Sequence, residues 1–248
     1  MRYAALSDIG RRRRANQDAF IVEPSLGLFV VADGMGGHAA GEVASFEAVN
    51  SVLSMVATGR ETLAQLRDPD LLHDALPRAT RLMESAVQAA TYHVYGLAAD
   101  NPERSGMGTT VSALLLIDGV GITAQVGDSR VYVMRGGRAS PLTEDHTLVA
   151  WQVKHGVLTE EQAARSPHRN VITRAVGSQD YVQVDTSVFD VHPGDRFLIC
   201  SDGLHGYFRD EELAFMAPLT VSAAVSDLVS EANRRGGKDN ITVIVIAP

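Results

Sequence analysis

Four aspartates of this 248-residue sequence stand where short apolar runs end or begin. Residues 28–32 (Leu-Phe-Val-Val-Ala) run into Asp33-Gly34-Met35-Gly36-Gly37-His38. Residues 121–126 run into Gly127-Asp128-Ser129, residues 196–201 into Asp202-Gly203, and Asp239-Asn240 precedes residues 241–247. Short runs rich in β-branched residues read as buried strands, and acid–glycine pairs as tight loops. If neighbouring strands run antiparallel, the end of one and the start of the next share a sheet edge, and the four acids converge there. Like charges so gathered repel one another unless a cation lies between them. Oxygen-only donors select hard cations, Mg²⁺ or Mn²⁺. Taken singly, each aspartate also fits a turn, because Asp bonds its own backbone and Gly accepts positive φ. The joint pattern carries the metal reading. The eight histidines show no zinc-like spacing.

Positioning these acids requires strands on either side of helices. Residues 3–9 and 19–23 read as strands before the central one. From residue 40 the period becomes helical: Val43, Phe46, Val49, Leu53 and Val56 form one stripe. Residues 58–69 read as loop. Leu72, Leu76, Ala79, Met83, Ala86, Val87, Ala90 and Val94 mark a second, longer helix with Pro77 near its start. Both stripes are core-facing surfaces without chemistry. Residues 108–118, 121–126 and 130–135 read as successive strands turning at Gly119 and Gly136-Gly137, an antiparallel meander. Residues 142–177 are polar and weakly patterned, a surface excursion with a short helix at 159–165. Strands resume at 182–189 and 196–200, helices at 210–216 and 221–232, and residues 241–247 form the last strand. The pattern predicts an α+β fold: helices outside paired, mainly antiparallel sheets.

Composition narrows the function. The chain is 45% apolar and 21% charged, ordinary for one globular domain. A net charge of −8 argues against a general nucleic-acid surface. The run Arg11–Arg14 is the exception, and a solvated turn accounts for most such runs. The single cysteine, Cys200, lies within an apolar strand and reads as a buried small hydrophobe in a reducing compartment. No apolar run approaches the ~20 residues that span a bilayer. No signal-like apolar core precedes the arginines, so a cytoplasmic location is expected. The loop Gly34-Met35-Gly36-Gly37-His38-Ala39 also fits a loose dinucleotide fingerprint. Against that, Asp33 would repel a pyrophosphate, and the following strands read as hairpins.

Six short motifs occur in order: Arg13-x-x-Asn16-Gln17-Asp18, Asp33-Gly34-Met35-Gly36-Gly37-His38, Gly108-Thr109-Thr110, Gly127-Asp128-Ser129-Arg130, Ser201-Asp202-Gly203-Leu204 and Asp239-Asn240. Together, from about Ser7 to the end of the chain, they resemble the bacterial metal-dependent serine/threonine phosphatases of the type 2C family. The resemblance implies a four-layer α-β-β-α sandwich, one catalytic domain over residues 1–248, and two Mn²⁺ or Mg²⁺ ions. By the same resemblance, Asp33 bridges the ions and Gly34 offers its backbone carbonyl to one. Asp202 and Asp239 serve the other ion, and Asp18 is an outer carboxylate holding metal-bound water. Asp128, with Asp202, helps bind a third ion. Two such cations acidify a shared water for direct in-line attack on phosphorus. Arg13 matches the phosphate-binding arginine, whose planar fork grips two oxygens.

One departure stands out. Eukaryotic members carry a histidine directly after the Asp-Gly pair, a candidate general acid, where this chain has Met35. His38, three residues on, is the nearest alternative donor. It fits equally a plain polar residue at a loop-to-helix junction, and the proton donor stays open. The excursion at about 146–173 corresponds to the family's flap beside the active site. There Arg165, His168, Arg169 and Arg174 are candidates to meet a phosphopeptide, or are solvated loop residues. The resemblance implies hydrolysis of phosphoserine and phosphothreonine in proteins, opposing a bacterial serine/threonine kinase, by a free-standing monomer. A non-catalytic metal- or nucleotide-binding module and a phosphatase of small phosphoesters are the other readings.

Overall fold

The computed structural model describes residues 1–36 and 40–248. Strands β1 (Arg2–Asp8), β2 (Asp18–Glu23) and β3 (Leu28–Met35) lead into helices α1 (Ala40–Thr58), α2 (Arg60–Gln65) and α3 (Leu72–Ala99). Next come β4 (Gly108–Thr109), β5 (Val111–Ile117), β6 (Val120–Val126), β7 (Arg130–Arg135) and β8 (Arg138–Pro141), followed by α4 (Leu148–Lys154) and α5 (Glu160–Ala164). The remaining elements are β9 (Asp185–Asp190), β10 (Arg196–Cys200), α6 (Asp202–His205), α7 (Asp210–Leu213), α8 (Val221–Arg235) and β11 (Ile241–Ala247). One sheet has the order β1-β11-β10-β7-β8. The other has the order β2-β3-β5-β6-β9, with β4 paired to β3. The strand pairs are antiparallel, which removes the parallel framework that a dinucleotide fingerprint needs.

Alternation along the strands builds the layers, because successive side chains point to opposite faces. In β3, Leu28, Val30 and Ala32 pack toward the helices with Ala44, Val52, Met83 and Val87. Phe29 and Val31 face the other way, into a layer between the sheets. Val131, Val133, Phe197, Ile199, Ile244 and Ile246 meet them there from the opposite sheet. The far side of that sheet, including Leu198, Cys200, Val243 and Val245, packs with Ala224, Leu228, Val229 and Ala232 of α8. The result is helix, sheet, sheet, helix, as expected. The α8 ends are set locally: Thr220 accepts a hydrogen bond from the Ala223 amide, and Gly236 takes φ 147° beyond the last turn.

Four expectations need correction. The central strand does not stop at Asp33 but continues to Met35, because Gly34 and Met35 pair with Thr109 and Gly108 of β4. Residues 60–65, expected as loop, are helical, and Leu63 is buried against the helical layer. The meander breaks after β6. Strands β5 and β6 pair, whereas β7 joins the other sheet, so Gly127-Asp128-Ser129 is a crossing between sheets rather than a hairpin. Phe46 is 59% exposed, because α1 meets the sheet through a neighbouring face of small residues, Ala44, Ser45 and Ala48. Within 146–173, α4 is an element that the weak pattern did not reveal; Thr147 caps it by accepting from the Ala150 amide. The expected helix near 159–165 is present as α5, opened by a reciprocal Thr159–Gln162 capping box.

The layer between the sheets holds their spacing, and Ile244 is fully buried in it. Ile244→Ala should cost about 2–5 kcal/mol of unfolding free energy in a denaturant titration. A cost well below 1 kcal/mol would show that the sheets tolerate a void there.

Candidate active site

At one end of the sandwich the inward-facing alternation changes from apolar to polar. Phe29 and Val31 are followed at the same parity by Asp33, Phe197 and Ile199 by Ser201, and Val131 is preceded by Ser129. Ile244 is preceded by Thr242 and Asn240, and Ala5 is followed by Ser7. The four acids found in the sequence therefore meet between the ends of two sheets, not along one sheet edge. Asp33 and Asp18 are direct cross-strand partners in β3 and β2. Asp128 lies on the crossing between sheets, Asp202 opens α6, and Asp239 precedes β11.

A hydrogen-bonded floor fixes these groups. The Asp33 amide donates to Thr110 Oγ1 at 2.9 Å, and the Asp33 carbonyl accepts from the Thr110 amide at 2.9 Å. Thr110 and Ser129 share a hydroxyl–hydroxyl bond of 2.8 Å. Ser201 Oγ donates to Asp18 Oδ2 at 2.7 Å and accepts from the Thr242 amide at 3.0 Å. Gly34 is buried in β3 with no room for a side chain: a Cβ there would lie 2.0 Å from the Gly41 carbonyl oxygen. A Cβ on Gly203 would lie 1.9 Å from the Asn240 carbonyl oxygen, so the turn after Asp202 also requires glycine.

The charges are in conflict. Burial first, then Asp18, Asp202, Asp128 and Asp239, raise the pKa of Asp33 well above the usual carboxylate range. Burial chiefly, with Asp202 and Asp239, lifts Asp18 to about 7 despite its bonds to Thr242 and Ser201. Asp128 also reaches about 7, through burial and then Asp202 and Asp145. Asp202 is raised by burial and by Asp239, and a hydrogen bond with Asp33 partly offsets this. On the rim, Arg13 donates to Asp239 Oδ2 at 2.6 Å, and that bond leads the causes that raise the arginine's pKa. Asp18 Oδ1 and Asp202 Oδ1 are buried and lack partners among the described residues.

Hard divalent cations fit this donor set. All donors are oxygens, two buried oxygen atoms await a partner, and positive charge would relieve the repulsion. Among the described residues, no three acids or imidazoles already form a cage for one ion. The carboxylates are engaged instead with one another, as in Asp33–Asp202, or with Arg13. Binding a cation exchanges those bonds for ligation.

Beside the acids lies an open cleft of about 770 Å³. Asp128, Asp202 and Asp239 line it together with Val149, Lys154 and Arg169 of the excursion. Of the four excursion residues singled out, Arg169 faces this cleft. Arg174 donates to Asp185 Oδ1 at 2.7 Å, and Arg165 pairs with Glu161 on the exposed surface. The His168 amide donates to Ser166 Oγ. His38 lies outside the described residues. Sequence reasoning missed the bidentate Arg130–Asp145 pair, both bonds 2.7 Å, which ties β7 to the start of the excursion. It also missed Ser201 as the holder of Asp18. The period-two alternation running past Ile199 contains that signal.

A family model described as Protein phosphatase 2C matches residues 10–238. The Protein phosphatase PhpP of Streptococcus pneumoniae is 33% identical over 253 residues, spanning 100% of this chain and 97% of that one. The solved Mycobacterium tuberculosis serine/threonine phosphatase PstP/Ppp superposes with a TM-score of 0.84 at 33% identity, covering 98% of this chain and 97% of the other. The catalytic domain of PstP solved with two manganese ions gives 0.82 at 33% identity, covering 98% and 96%.

Acids whose pKa rises on folding hold extra protons in the folded state between about pH 4 and about pH 7. Their contribution to stability is complete below that window and is lost as the pH rises through it. In metal-free protein, Asp33→Asn removes one of the repelling charges. Its melting temperature should exceed the parent's by a few degrees at pH 8, with a smaller difference at pH 5. A difference that shrinks or reverses toward pH 8 would contradict the charge conflict.

Proposed function

The chain belongs to the protein phosphatase 2C family, metal-dependent protein serine/threonine phosphatases, and from that premise we propose how its cleft hydrolyses phosphoserine and phosphothreonine. The supporting observation is five mutually repelling aspartates at the end of the inter-sheet layer, with Arg13 on their rim. In this reading Asp33, the Gly34 carbonyl, Asp202 and Asp239 would together hold two ions. Asp128 and Asp202 would hold a third ion more weakly. Bound there, Mn²⁺ or Mg²⁺ supplies an acidified water and Lewis-acid polarisation of the phosphoryl oxygens.

The protein's own groups do the rest. Arg13 and Asp239 are half-exposed, with side-chain accessibilities of 50% and 32%. Their pairing is worth only about 0–1 kcal/mol at such exposure, so an arriving phosphate displaces Asp239 at little cost and takes both arms of the guanidinium. Asp18 has Oδ2 fixed by Ser201 and Oδ1 unpartnered, which leaves Oδ1 to accept a hydrogen bond from a water. Cys200 supplies no nucleophile: it is buried, and burial pushes its thiol up to about 12. These placements support direct attack by water, without a phosphoenzyme. The volume of the cleft suits a phosphorylated side chain with its neighbouring backbone. We read residues 1–248 as one catalytic unit and 146–173 as the flap over its cleft. The unit acts as a monomer on phosphoproteins and opposes a bacterial serine/threonine kinase. Among the described residues no helix is long and apolar enough to cross a membrane.

Metal-stripped protein should release no phosphate from a phosphothreonine peptide until Mn²⁺ is added. Release at full rate without divalent metal would overturn the reading. Asp202→Asn should lower kcat by more than about a hundredfold, since metal catalysis supplies several kcal/mol and each 1.36 kcal/mol is tenfold. Arg13→Ala should raise KM about tenfold or more, the worth of one charge-assisted hydrogen bond, while kcat changes less. An unchanged KM would return Arg13 to a solvated turn.

A further inference from the structure

Arg13 sits on the loop joining β1 to β2, residues 9–17. Its own ion pair is half-exposed and too weak to fix where the guanidinium stands. The loop is held from elsewhere. Asn240 is only 4% exposed, and its side-chain amide reaches both ends of the loop. Nδ2 donates to the Ile9 carbonyl at 3.0 Å and to the Ala15 carbonyl at 3.0 Å. Oδ1 accepts from the Gln17 amide at 2.8 Å. Both donors and the acceptor of one buried side chain are thus spent on a single loop, on either side of Arg13. The Asn240 backbone amide also donates to Asp239 Oδ1 at 2.9 Å, and Asp239 Oδ2 faces Arg13. One further tie, from the Arg11 amide to the Gly237 carbonyl at 2.6 Å, leaves Arg13 between two anchored points.

We propose that Asn240 is a positioning residue for phosphate binding: its side chain closes the 9–17 loop so that Arg13 meets the substrate phosphoryl group beside Asp239. The proposal deepens the phosphatase reading and rests on Arg13 binding phosphate. Only an amide supplies two donors and one acceptor from a single planar group of this size. An aspartate there would lose both donors and set an oxygen against two carbonyl oxygens.

The test is a double-mutant cycle on the Mn²⁺-loaded protein, using Asn240→Asp, Arg13→Ala and the pair. KM for a phosphothreonine peptide and the inhibition constant for inorganic phosphate are measured together with kcat. Asn240→Asp should raise KM and the phosphate inhibition constant about tenfold, with a smaller change in kcat. In the Arg13→Ala background the same substitution should add almost nothing. Multiplicative effects, or a fall confined to kcat, would overturn the assignment. If Arg13→Ala alone leaves KM unchanged, the phosphate-binding role of Arg13 fails, and this inference fails with it. Thermal melting checks the fold, and Asn240→Ser, which keeps one donor, stands in if the aspartate variant does not fold. Loss of the folded transition in both variants would make Asn240 a residue of the fold and overturn the proposal.

Discussion

The structure depends on one electrostatic conflict: aspartates gathered where two sheets end, with too little water to screen them. Burial alone raises a carboxylate's pKa, and each neighbouring acid raises it further. A chain keeps such a cluster only where something offsets the repulsion. Here the floor of Thr110, Ser129, Ser201 and Thr242 holds backbone and carboxylates in place. In the proposed reading, divalent cations complete the balance. Stability without metal and affinity for metal are therefore linked in opposite directions.

The sandwich is the means of assembling that cluster. Apolar alternation in β3, β7, β10 and β11 fills the layer between the sheets, and the same alternation, one step further, delivers Asp33, Ser129, Ser201 and Thr242 to its mouth. Because the acids come from both sheets, the inter-sheet layer sets their separation. Arg13 and Asp239, by contrast, stand half-exposed on loops at the rim. The separation of roles is physical: groups fixed by the hydrogen-bonded floor hold charge, and half-exposed groups exchange partners.

Much of this was legible in the sequence. Asp33, Asp128, Asp202 and Asp239 were marked by apolar runs that stop or start at an acid, and the fold brings the last three close enough to Asp33 to raise its pKa. The helices from residues 40 and 72 followed from their period. Less legible was which sheet each strand joins: β6 and β7 are close in sequence and resemble a hairpin, yet they belong to different sheets. Pairing is decided by burial on both faces, and local pattern does not encode that choice. Phe46 failed for a related reason, since small residues win the closest approach of α1 to the sheet. Asn240 and Ser201 appeared in the motifs without a role, because their work is hydrogen bonding to backbone distant in sequence.

The most direct measurement is calorimetric titration of Mn²⁺ into metal-stripped protein near pH 6, in two buffers of different ionisation enthalpy. Asp18 and Asp128, raised to about 7, are largely protonated there, and a cation must displace their protons. The account predicts binding with net proton release, falling as the pH approaches 8. Binding with no buffer dependence, or no binding to folded protein, would contradict it.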